Sequence, residues 1–182
     1  MNKPMNGEKI ICISSVDWDP IWTRKQQVMS RLAPHNKILY IEAPVTLLSV
    51  LKDRSLWFKW HLWRKGARKK GDNLYLYSPP VVLPFGNVFP WVNRFNQRWL
   101  LFFIKRIVRQ LGLEHALVWT YLPTSLLLAQ GLGPKRLIYD CVEEHSEYQG
   151  FINKQAMLAM ERDLLQHCDL VFVKMCIRDR FH

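Results

Sequence analysis

The run Arg136–Tyr148, RLIYDCVEEHSEY, passes from strand formers to titratable groups within a few residues. Leu137, Ile138, Tyr139 and Cys141 suit a strand covered on both faces, while Asp140, Glu143, Glu144, His145 and Glu147 collect where it ends. In an open parallel sheet, helices cover both faces of each strand, and only the carboxyl tip and the following loop can reach a ligand. The stretch therefore predicts a central parallel strand with a functional rim. A solvated acidic loop behind an ordinary core strand is the plain alternative.

Moving outward, the same layout recurs. Lys9 to Ser15 (KIICISS) reads as a buried strand that empties into Val16-Asp17-Trp18-Asp19-Pro20. Asp19 before Pro20 predicts a helix start, because the carboxylate can accept an orphan N–H and proline has none to lose; the helix would run to about Leu32. Arg24 and Lys25 near its amino end suit a phosphate, or else form a solvated basic face. Lys37 to Glu42 is the next strand, so residues 9–42 have the length of one right-handed βαβ unit. Further strands are expected at Asn73–Ser78, His115–Thr120 and Asp169–Val173, with helices near Phe89–Leu111, Pro123–Ala129 and Asn153–His167. The Phe89–Leu111 helix carries Trp91, Phe95, Trp99, Leu100, Phe102, Phe103, Ile107 and Val108; most of this apolar stripe is expected to meet the sheet, and a second, membrane-directed face is an open alternative that the fold does not need. These alternations predict an α/β fold: one Rossmann-like open parallel sheet over residues 9–173, helices on both faces, after a flexible lead of residues 1–8.

Residues 52–71 break the pattern. Trp57, Phe58, Trp60 and Trp63 alternate with Lys59, Arg64, Lys65, Arg68, Lys69 and Lys70, more densely than a sheet-packed helix requires. Such residues seat at a headgroup boundary and meet anionic lipid; stacking on nucleic acid uses the same types, and packing on the parent domain is the third option. A formal charge of +11 asks for an anionic partner without choosing among them. The longest strongly apolar run, Trp99–Ile104, is too short to span a bilayer, and the amino terminus has no signal-peptide core. Cys12, Cys141, Cys168 and Cys176 show no C-x-x-C spacing, so neither zinc nor a disulfide is expected, and the chain reads as a reduced cytoplasmic protein.

Ser14-Ser15-Val16-Asp17 stands where a dinucleotide-binding domain would carry G-x-G-x-x-G, which argues against a dehydrogenase. There is no Walker A loop, H-E-x-x-H or G-x-S-x-G. The closing peptide Lys174–His182, with its MCIRDR, is similar to the translation of a library-preparation adapter and is expected to be foreign to the protein. Leaving it out removes three bases and one acid, and the chain stays strongly basic.

Four segments in order carry a family likeness: DWDPIWTRKQQVMSRLA followed by ILYIEAP, then ALVWTYLPTS, LIYDCVEEHSEYQGF and ERDLLQHCDLVFV. Together they resemble the N-terminal, acceptor-binding half of bacterial GT-B glycosyltransferases with family-4-like sequence, enzymes of cell-surface polysaccharide assembly. The resemblance implies a second, donor-binding domain absent from this chain and a nucleotide sugar as co-substrate rather than a cofactor. It also implies a glycan or lipid-linked acceptor, and a place in the cytoplasm or at the inner face of the membrane. Nucleic acid is not expected on this reading, and the fragment by itself is expected to be inactive. Sugar transfer needs an acceptor hydroxyl held against the anomeric carbon and positive charge on the leaving diphosphate. Asp140 and His145 are the candidates to orient or deprotonate that hydroxyl. Asp17, Tyr121 and Glu143 would line the pocket, Trp18 would stack on a sugar ring, and Arg24 would meet a phosphate. Trp57, Trp60, Trp63, Lys65, Arg68, Lys69 and Lys70 would form the membrane surface. The competing expectation is a basic, flavodoxin-like module that binds anionic lipid or nucleic acid and catalyses nothing.

Overall fold

The computed structural model describes residues 5–53, 56–142 and 153–173. In chain order the elements are β1 (Lys9–Ile13), α1 (Arg24–Leu32), β2 (Lys37–Ile41), α2 (Leu47–Lys52), α3 (Trp57–Leu62), β3 (Arg68–Lys69) and β4 (Leu74–Tyr77), then α4 (Pro90–Gln110), β5 (Leu117–Thr120), α5 (Leu126–Gly131), β6 (Arg136–Cys141), α6 (Lys154–His167) and β7 (Leu170–Val173). Four consecutive buried residues follow Lys9 in β1, because the strand packs on both faces. Ile11 and Ile13 join one core cluster; Ile10 and Cys12 join the other.

The seven strands lie in the order β3-β4-β2-β1-β5-β6-β7, all parallel except the short edge strand β3, which runs antiparallel to β4. Counting the parallel strands alone, the third, second and first are followed by the fourth, fifth and sixth. That is the Rossmann order, and the direction of winding reverses at β1. The flavodoxin-like order of the competing expectation is not formed. It would leave the second parallel strand at the edge, whereas here β4 pairs with β2 on its outer side.

Winding in two directions with right-handed crossovers sends helices to opposite faces. Met29 of α1 packs with Ile10, Cys12 and Tyr40, while Leu100 and Ile104 of α4, Leu128 of α5 and Leu164 of α6 pack with Ile11, Leu39 and Val118. The expected α/β architecture is therefore the observed one.

Local details differ from expectation, each for a physical reason. The first helix begins at Arg24, after Thr23, and not at Asp19-Pro20. Gln26, fully buried, decides this. Its carbonyl oxygen accepts the Thr23 backbone N–H (3.0 Å), and its amide nitrogen donates to the carbonyls of Asp17 (2.9 Å), Trp18 (3.2 Å) and Ile21 (2.8 Å). The loop through Asp19 and Pro20 is thus wrapped around one side chain. Residues 5–8 are likewise not a loose lead: the Gly7 N–H donates to the His35 carbonyl (2.7 Å), and the Glu8 N–H to Asn36 Oδ1 (2.9 Å). The insertion adds an edge strand, β3, that the sequence pattern does not announce.

Replacing Gln26 with Leu removes every one of these bonds and leaves buried carbonyls unanswered. A loss of about 1–3 kcal/mol in urea-unfolding free energy is expected, against a change near zero for the neighbouring exposed Gln27→Leu.

Candidate functional site at the carboxyl edge of the sheet

Where winding reverses, the connections from β1 and β5 leave to opposite faces, and a crevice opens beyond their carboxyl ends. A cavity of about 310 Å³ lies there, at the small end of the range for ligand sites. Ile13, Leu100, Ile104, Leu122 and Leu128 give it an apolar floor. Its polar lining is Ser14 and Ser15 after β1, Glu42 and Thr46 after β2, Asn87 before α4, Asn93, Asn96 and Gln97 on α4, and Thr124 and Ser125 after β5. The three amides brace α4 against its neighbours: Asn96 exchanges two bonds of 2.9 Å with the Leu83 backbone, Asn93 donates to the Thr124 carbonyl (3.0 Å), and Gln97 accepts the Leu128 N–H (3.3 Å). The cavity wall is thereby fixed before any ligand arrives.

Glu42 is buried at the rim. Its carboxylate accepts the Trp18 N–H (3.2 Å), an Arg68 guanidinium N–H (2.9 Å) and the Ser78 hydroxyl. Arg68 also donates to Ser78 Oγ (3.0 Å).

On the opposite face of the sheet, three of the expected residues come together. Asp140 is buried in β6, and Arg24, at the first position of α1, places a guanidinium nitrogen 3.3 Å from its Oδ1. Tyr121, 1% exposed, and Trp119 face the same carboxylate. Neither Asp140 oxygen accepts a hydrogen bond of normal geometry, so the Arg24 contact is an ion pair without one. Burial pushes the Asp140 carboxyl above the ordinary carboxylate range; Arg24 opposes this most, with smaller help from Trp119, Tyr121 and Lys25. Lys25, expected at the surface with Arg24, is buried instead: its ammonium donates to Ser15 Oγ (2.6 Å) and sits over the Tyr121 ring. Desolvation also raises the Tyr121 hydroxyl pKa above its usual value.

Other expected residues lie elsewhere. Trp18 is buried, edge-on to Trp22 and Tyr40, so its ring serves the core and the exposed indole of that loop belongs to Trp22. Asp17 pairs with Lys59 of α3. Asp140 and Tyr121 do not line the 310 Å³ cavity, because their side chains point to the α1 face. Glu143 and His145 lie outside the described residues, as does the Trp60 side chain.

The segment expected to face a membrane is largely committed to the domain. Arg68 pairs with Glu42, Lys70 with Asp19 (3.0 Å), and Trp63 packs edge-on against Phe103 of α4 (5.1 Å). Trp57, although half exposed, donates its indole N–H to the Val50 carbonyl (3.0 Å). Lys65 and Lys69 are exposed. Among the described residues, no group of three or more His, Cys, Asp or Glu is placed to hold a metal ion. No described helix is long and apolar enough to cross a membrane.

Sequence reasoning missed Glu42 and Gln26 as organisers and the amide row of α4 as a lining. The row left a signal: Asn93, Asn96 and Gln97 sit at helical spacing on the stripe that carries Leu100 and Ile104. Polar residues on an inward stripe need partners there. No protein-family model matches the sequence, and a search of curated proteins finds no match.

The raised Asp140 pKa carries a sign. The folded state takes up this proton more readily than the unfolded chain, so Asp140 adds stability below its ordinary pKa and loses it as pH rises through the raised value. Asp140→Asn should therefore remove this downward slope. Its urea midpoint is expected to match wild type at about pH 3, where the protonated acid and Asn are alike, and to exceed it at about pH 8.

Proposed function

We propose that this domain binds the acceptor in a GT-B-type glycosyltransferase, with the cavity at the winding reversal as the acceptor site. The observation that carries the reading is the lining itself: neutral amides and hydroxyls over an apolar floor, at the switch point of a Rossmann-ordered sheet. A sugar presents hydroxyls around its edge and C–H groups on its face, which is the complementary surface. A phosphate-rich ligand would call for a glycine-rich loop or a free helix terminus, and Ser14-Ser15 replaces the first of these.

On this reading the donor nucleotide sugar belongs to the second domain of the two-domain architecture. The acceptor is a glycan or lipid-linked sugar of cell-surface polysaccharide assembly, handled in the cytoplasm at the inner face of the membrane. Arg24, half exposed beside Asp140 on the α1 side of the sheet, is the group that would meet a phosphate of donor or acceptor. Asp140 holds its guanidinium and serves as a positioning residue, since the carboxylate itself is enclosed. Among the described residues the carboxylate that lines the cavity is Glu42, already engaged by Trp18, Arg68 and Ser78. That engagement favours one rival reading, a non-catalytic binding module.

Saturation-transfer NMR on the full chain separates the options, with cellobiose and diacetylchitobiose as glycan probes and UDP as the nucleotide probe. Transfer to a glycan, weakened about threefold to tenfold in the double variant Asn87→Ala, Thr124→Val at the cavity mouth, is expected. Transfer to UDP alone, or to none of the three, would overturn the proposal.

A further inference from the structure

Helix α4 buries one stripe and leaves another bare. Val92, Asn96, Gln97, Leu100, Ile104, Ile107 and Val108 face inward, which uses up the 3.6-residue stripe that the sheet can cover. Of the apolar residues expected mostly at the sheet, the aromatic ones are largely left outside, on the second face. Phe102 is 72% exposed, Trp91 67%, Phe95 53% and Trp99 41%. Residues 91, 95 and 102 lie at i, i+4 and i+11, one line along the helix, with Trp99 on its flank. Singly exposed apolar residues are ordinary, but a contiguous row of large rings on a rigid helix marks an interaction surface.

Charge says what it meets. Between Pro90 and Gln110 there are Arg94, Arg98, Lys105, Arg106 and Arg109 and no Asp or Glu. All five cations are exposed, and none makes an ion pair among the described residues. This contrasts with the insertion, whose Lys59, Arg68 and Lys70 are each paired with a carboxylate. Rings that enter the acyl boundary, beside free cations that meet anionic headgroups, make an interfacial helix. Single-stranded nucleic acid favours rings set in a groove that tracks its backbone, and a convex row on one helix offers no groove.

We propose that the outer face of α4, and not the segment 57–70, docks this domain on an anionic lipid surface. The inner face of the same helix supplies Asn93, Asn96 and Gln97 to the cavity. Phe85 and Leu83, both exposed, rim that cavity at the amino end of α4. Docking through the outer face therefore leaves the amides on the side of α4 away from the lipid, with the exposed rim residues Leu83 and Phe85 just before the amino end of the docked helix.

Co-sedimentation of the full chain with phosphatidylcholine vesicles, with and without phosphatidylglycerol, tests the docking. Binding to the anionic vesicles at low salt is expected, falling as salt rises. The triple variant Trp91→Ala, Phe95→Ala, Phe102→Ala should weaken it at least about tenfold, and Trp57→Ala, Phe58→Ala less than about twofold. The charge variant Arg94→Gln, Arg98→Gln, Lys105→Gln keeps every ring; it should weaken binding and flatten the salt dependence, and it carries the test should the aromatic triple not fold. Three results would overturn the proposal: no binding to anionic vesicles, loss on changing Trp57 and Phe58 but not α4, or α4 variants that lose poly(U) retention while keeping vesicle binding. Bare vesicles contain no glycan, so this outcome is independent of the sugar-acceptor reading.

Discussion

A buried carboxylate is stable only when its oxygens are answered, and Glu42 is answered by several strand exits at once. The Trp18 N–H reaches it from the loop after β1, the Ser78 hydroxyl from the end of β4, and the Arg68 guanidinium from the edge strand β3. Glu42 itself continues β2, its N–H bonded to the Tyr77 carbonyl (2.9 Å). One charge thus gathers the carboxyl ends of three neighbouring parallel strands and pins the antiparallel edge. It also lines both the 310 Å³ cavity and the second, more highly charged cleft beside Asp17, Lys59 and Lys70. Gln26 does for the β1–α1 loop what Glu42 does for the strand ends. Between them they give the rim a fixed shape, which a site needs before its chemistry matters.

How much of this could be read from the chain depends on how local each cause is. Runs such as Lys9–Ile13 and Arg136–Cys141 announce themselves because a strand buried on two faces must be nearly continuously apolar. The start of α1 does not, since its decisive side chain bonds to carbonyls five to nine residues back. Asp19 and Pro20 form a good local start signal that the tertiary bonds of Gln26 override. The strand order was also out of reach: connection lengths show that strands are parallel, not on which side of β1 each one lands. At the rim, strand-exit logic picked Tyr121 and Asp140, and the structure brings Arg24 of α1 beside them. It missed the cavity because the residues that wall it lie on a helix face, not at a strand tip.

The period of two along a strand explains why the expected catalytic group and the cavity stay apart. Leu137, Tyr139 and Cys141 of β6 point to the α4 side, and Ile138 and Asp140 point to the α1 side. Tyr139 is held there by Glu161 of α6, whose carboxylate accepts its hydroxyl (2.7 Å). A slip of one residue would expose a charge to the apolar cluster under α6, so this register is strongly fixed. The sheet's thickness therefore separates Asp140 from the cavity. On the proposed reading, a hydroxyl bound in that cavity would be held and oriented without Asp140, and the carboxylate that lines the cavity is Glu42, already engaged by Trp18, Arg68 and Ser78.

Helix α4 joins the two proposals without making either depend on the other. It is one rigid rod of 21 residues, about 30 Å long at the standard rise. Its cavity-lining amides and its bare rings occupy opposite sides of the same few turns, so their relative placement is set by helix geometry and needs no hinge. A flat surface resting on Trp91, Phe95 and Phe102 must run nearly parallel to the helix axis. Phe89 and Phe85 are exposed at the amino end of this rod, and Phe85 also lines the cavity. Lys105, Arg106 and Arg109, concentrated at the other end, add headgroup attraction where the rings thin out, and favourable charge at a helix carboxyl terminus as well.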